Sequence, residues 1–88
     1  VELRSYRMPT VIALKCALAD LRGDPDLKNL PDNASVISDV GLDSLELLQF
    51  MLEIEASLAI EVDFERLSYD HLESLTDLAS FLDSMPRQ

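Results

Sequence analysis

Cysteine, glycine, tryptophan and basic residues are all scarce in this 88-residue chain, and each scarcity closes off a class of protein. A single cysteine, Cys16, allows neither an internal disulfide framework nor a cysteine zinc cluster, which fits a reducing compartment. Two glycines and no tryptophan among many leucines make a helical composition. Seven basic residues stand against 17 acidic ones, a formal charge of -10, so there is no basic stripe for nucleic acid and the natural partner is a basic protein. No apolar run approaches a membrane span, and the opening "VELRSYRMPT" lacks the apolar core of a signal peptide. A cytoplasmic protein without a membrane partner is the expectation. The length suits one domain over residues 1–88, with 1–9 as a flexible extension, and is too short for a deep enclosed active site. A hydrophobic fraction of 48% shows that the acidic chain nevertheless has enough apolar residues to fold.

Hydrophobic periodicity places a first helix over residues 9–22, where Val11, Leu14, Leu18 and Leu21 recur at helical spacing and Pro9 occupies the first turn. "RGDPD" ends it. Residues 23–43 hold two prolines, two glycines and five aspartates, a long loop with one expected turn of helix at 34–38. A second helix is predicted over 44–58, because Asp43 and Glu46 have the spacing of a capping box. A short third helix is placed at 63–67. A fourth runs over 74–85, with Ser74 and Asp77 in cap spacing and Leu75, Leu78, Leu82 and Met85 as its buried stripe. The expected fold class is all-α, a small bundle of three main helices plus the short third one.

The second helix carries more apolar surface than one core contact needs. At about 100° per residue, Leu47, Phe50, Met51, Ile54 and Leu58 share one face. Leu45, Leu48 and Leu52 form a second stripe, flanked by Glu46, Gln49, Glu53 and Glu55. Either the short third helix covers this stripe, or it is an exposed apolar strip rimmed by acids, as a docking surface is.

Ser44, in "GLDSLE", is an ordinary helix-start serine or a reactive hydroxyl on display. No base accompanies it, since the only histidine, His71, has no partner arrangement with it, so any reaction at Ser44 requires a base from another protein. The helix N-terminus would stabilise a phosphate attached there. His71 is read as a surface or interhelix residue, for want of a second ligand at metal spacing. Cys16 lies opposite the buried stripe of its helix and is read as partly exposed rather than catalytic. Asp24 and Asp26 do not make a calcium loop, because Lys28 takes the next ligand position and the required glycine and terminal glutamate are missing.

The stretch "NASVISDVGLDSLELLQFMLEIEASLAIEV", residues 33–62, resembles the acyl carrier protein family, and the flanking helices extend the likeness over nearly the whole chain from Thr10. The resemblance implies an acyl-carrier-like fold and a non-catalytic carrier. It also implies that Ser44 is the attachment point of 4'-phosphopantetheine, transferred from coenzyme A by a separate phosphopantetheinyl transferase. The arm holds an acyl or aminoacyl cargo as a thioester. Asp43, Leu45, Glu46, Leu48, Gln49, Leu52, Glu53 and Glu55 would be the partner-docking surface, and Val62 would lie near the mouth of the bundle. The implied partners are the transferase, an acyl- or aminoacyl-loading ligase or acyltransferase, and a ketosynthase or other assembly-line enzyme, with the chain itself a monomer. Gln49 and Ala56 stand where fatty acid synthesis carriers usually have acids, and Leu42 and Asp43 replace the glycine and histidine of peptidyl carriers. These departures point to a discrete carrier of polyketide or hybrid polyketide-peptide biosynthesis. A fatty acid synthesis carrier, or a helical interaction module without a prosthetic group, is the alternative.

Overall fold

Pro9 caps the first helix without a side-chain acceptor, and the chain then runs as α1, Thr10–Arg22, until Gly23 takes a left-handed conformation (φ 63°) and returns its N–H to the carbonyls of Ala19 and Asp20. These observations come from a computed structural model, which describes residues 9–86. The expected extension over 1–9 lies outside the described residues except for Pro9. Two further α-helices follow, α2 at Ser44–Leu58 and α3 at Leu75–Asp83, with short 3-10 segments at Pro25–Asn29 and Tyr69–Leu72. Among the described residues there is no strand beyond an isolated bridge at Ile60, and no helix long and apolar enough to cross a membrane.

The all-α expectation stands, with three corrections to its minor elements. The segment 63–67 forms only a turn: Asp63 Oδ1 accepts from the Glu65 N–H at 3.1 Å, and the Asp63 carbonyl accepts from Arg66 at 3.1 Å. The short helix lies later, at Tyr69–Leu72, where His71 Nδ1 accepts from the Ser68 N–H at 3.1 Å and does the work a glutamate does in an ordinary capping box. The turn expected at 34–38 is one that does not propagate, closed by Asp39 N–H to the Ser35 carbonyl at 3.0 Å. Helix in the loop appears instead at Pro25–Asn29, where Asp24 accepts from Asp26 and Pro25 sits at the first helical position.

The central helix is α1, which packs against both α2 and α3. Its buried residues Leu14, Ala17 and Leu18 meet Phe50, Met51 and Ile54 of α2 and Leu75, Leu78 and Leu82 of α3 in one core. The predicted α3 stripe is buried as expected, Met85 included. Ala34, Val36 and Leu42 bring the long loop into the same core.

Hydrogen bonds fix that loop where apolar contact alone would leave it to slide. Ser35 is its node: the hydroxyl donates to the Leu72 carbonyl at 3.2 Å and accepts from the N–H groups of Ile37 and Ser38, both at 3.1 Å. The first N–H groups of α3 complete the attachment, Leu75 donating to the Ala34 carbonyl (2.9 Å) and Thr76 to the Asp32 carbonyl (3.0 Å). Lys15 of α1 reaches Asp32 at 2.7 Å. Replacing Ser35 with alanine strands buried donors and an acceptor, and is expected to lower unfolding free energy by about 1–3 kcal/mol in urea titration.

Candidate functional site

Asp43 and Glu46 build the site by satisfying one another's backbone. The Asp43 carboxylate accepts from the Glu46 N–H at 2.8 Å, and the Glu46 carboxylate accepts from the Asp43 N–H at 3.2 Å. This is the predicted capping box, and it uses two of the four N–H groups that open a helix. The N–H groups of Ser44 and Leu45 are left without a protein acceptor among the described residues. The Ser44 side chain, at the first helical position, is exposed and its hydroxyl has no hydrogen-bond partner among those residues. Capping falls to Asp43, so the serine is free. By contrast, Ser74 at the start of α3 has its hydroxyl committed to the Asp77 N–H at 3.0 Å.

A phosphodiester on Ser44 fits these surroundings. Two open N–H groups at the positive end of α2 face the position it would take, and the neighbouring Glu46 charge is balanced by Arg22. Gly41 approaches the helix with φ 80°, a conformation that disfavours other residues, although a methyl group there would meet nothing within 4 Å.

Arg22 escaped the sequence reading. From the last turn of α1 its Nε lies 3.0 Å from Glu46 Oε2, and its Nη2 donates to Glu46 Oε1 at 3.1 Å and to the Gly41 carbonyl at 2.9 Å. A lone arginine at a helix end has many possible partners, and nothing in the order of residues couples it to a glycine across the long loop.

The second leucine stripe is exposed: Leu45, Leu48 and Leu52 keep 65%, 47% and 51% of their accessible surface. Neither the 63–67 turn nor the Tyr69–Leu72 segment covers them. Gln49 and Ala56 lie on the same exposed face. The acids are placed differently from a simple rim. Asp43 and Glu46 are committed to the capping box. Glu55 Oε2 accepts from the Val62 N–H at 2.8 Å. Glu53 has one carboxylate oxygen buried without a partner, beside a cavity of about 470 Å³ that Cys16 and Asp20 also line.

The remaining candidates take structural places. His71 stacks on Phe81 with ring centroids 4.3 Å apart, as an interhelix residue. Cys16 is half-buried, in keeping with its predicted position. Val62 is buried in the core. Among the described residues there is no group of three or more potential metal ligands.

Comparison with known proteins adds one match. Residues 13–82 match the family model described as "Phosphopantetheine attachment site". Neither the curated proteins nor the solved structures contain a match to the chain.

Proposed function

Because the chain belongs to the phosphopantetheine attachment site family, whose members carry a covalent 4'-phosphopantetheine, we propose that Ser44 is the attachment residue and that the protein shuttles acyl or aminoacyl groups between partner enzymes. The arm supplies a thiol on which cargo is held as a thioester. The chain's own residues supply the rest: Asp43 and Glu46 start α2, the freed Ser44 hydroxyl is presented to solvent, and the amides of Ser44 and Leu45 face the attached phosphate. The carrying observation is the exposed Ser44 hydroxyl, without a hydrogen-bond partner among the described residues, at the head of a capped helix. The chain takes part as a substrate of partner enzymes. Its base for modification comes from the transferase, since the Nδ1 of His71 is bonded to Ser68 and the ring is stacked on Phe81.

The partner surface is the exposed strip of Leu45, Leu48, Gln49 and Leu52, with Asp43, Glu46, Glu53 and Glu55 at its margins. Long-range attraction of basic partners follows from the charge of -10, and the docked pose from the leucines. Gln49 and Ala56 make the strip more apolar than an acid-lined one, which supports specialised partners in polyketide or hybrid natural-product synthesis and a discrete carrier in the cytoplasm.

Incubation with a phosphopantetheinyl transferase, coenzyme A and magnesium is expected to add one arm, read by intact mass. Failure with several broad-specificity transferases would leave the unmodified interaction module as the surviving reading. On the docking face, Leu48→Ala is expected to raise the transferase KM about tenfold, the loss of one moderate interface anchor. Its unfolding free energy should stay within about 0.5 kcal/mol of wild type, because the side chain is exposed in the free protein. An unchanged KM would remove Leu48 from the docking surface.

A further inference from the structure

Arg22 ties the end of α1 to the beginning of α2 across the whole long loop. Its guanidinium spans the Gly41 carbonyl and both carboxylate oxygens of Glu46, and Glu46 in turn holds the Asp43 N–H. Gly41, three residues before Ser44, and Glu46, two residues after it, are thereby both fixed to α1. Leu42, between them, is buried, and its N–H donates to the Val36 carbonyl at 3.1 Å, so the loop keeps a second attachment when the arginine is removed. The network therefore sets local geometry at the serine more than it holds the fold together.

We infer that Arg22 is a positioning residue for modification of Ser44, acting through Gly41 and Glu46 to hold the serine in the orientation the transferase requires. This inference rests on the reading of Ser44 as the attachment residue. It also changes the role of Glu46: a carboxylate paired with Arg22 and the Asp43 N–H is an internal strut, and contributes less negative charge to a basic partner than its sequence position suggests.

Charge and position make opposite predictions for the same substitution, which gives the test its sign. Arg22→Ala removes a positive charge from an already acidic carrier, so electrostatic steering of a basic transferase would speed encounter and lower KM. Positioning predicts that kcat falls about tenfold or more, since small misplacements of a reacting group carry penalties of up to about a hundredfold. Lys28→Ala, which removes the same charge from an exposed site in the loop, is the control and should leave kcat unchanged. Arg22→Lys keeps the charge but loses the two-pronged contact, and should recover only part of the rate. Combining Arg22→Ala with Glu46→Ala should be little worse than Glu46→Ala alone, because the arginine acts largely through that carboxylate.

The melting temperature of Arg22→Ala should fall by no more than about 5 °C, as suits a partly exposed ion pair. Amide exchange at Asp43 and Glu46 should rise while exchange in α1 and α3 stays slow. A rate equal to or above wild type in Arg22→Ala, or unchanged exchange at those two amides, overturns the inference. Exchange is read without the transferase. A wild-type chain that no transferase modifies therefore tells against the reading of Ser44, while exchange still decides whether the clamp exists.

Discussion

Ser44→Ala is expected to abolish the mass gain from coenzyme A completely and to leave the fold intact. In the proposed modification the hydroxyl oxygen is the atom that becomes bonded to phosphorus, and alanine offers no atom in its place. Stability should change by no more than about 0.5 kcal/mol, because the lost hydroxyl is exposed and makes no hydrogen bond among the described residues. This combination distinguishes Ser44 from Ser74, the serine that caps α3. Ser74→Ala removes an acceptor from the Asp77 N–H and should destabilise α3 by about 1 kcal/mol without preventing modification. Intact mass and a thermal melt on the two variants check both halves. Full modification of Ser44→Ala would move the attachment to another residue and remove the basis of the proposed function.

Phe50→Ala is expected to be the most damaging single truncation on α2, costing about 3–5 kcal/mol in urea unfolding. The ring is fully buried in the core shared by all three α-helices, and little backbone stands ready to close the space it leaves. A chain of this length has a total stability of about 4–13 kcal/mol at the usual rate per residue, so the variant loses a large share of it. Leu45→Ala, on the opposite face of the same helix and 65% exposed, should fall within about 0.5 kcal/mol of wild type. If the two variants unfold at similar urea concentrations, the assignment of core and solvent faces on α2 is wrong.

Those two faces were legible because helical periodicity separates Leu47, Phe50, Met51 and Ile54 from Leu45, Leu48 and Leu52 before any coordinates are known. Periodicity alone left the coverage of the second stripe undecided, since it depends on where a later segment lies. That later segment was misplaced for a physical reason. Asp63 begins a turn convincingly with its bond to Glu65, but one turn is all that forms, whereas His71 caps the true short helix with a ring nitrogen that a pattern of acidic caps does not anticipate. The start of α2 was readable to the residue because both halves of its capping box lie within four residues. Arg22, Gly41 and Glu46 were not, because their association is made only by folding the loop between them.

The attachment of the loop to α3 has a consequence for protein synthesis. Leu75 and Thr76 supply the donors that hold the Ala34 and Asp32 carbonyls, and Leu72 supplies the acceptor for Ser35. A ribosome releases α1, the loop and α2 before it releases any of these groups. A nascent chain ending before residue 72 thus carries Ser44 and the Arg22 and Leu42 contacts beside it, but lacks the bonds that seat residues 32–35 earlier in the loop. Residues 32–35 therefore reach their final seat only when the last helix arrives, whereas the contacts of Arg22 and Leu42 beside Ser44 need nothing beyond α2.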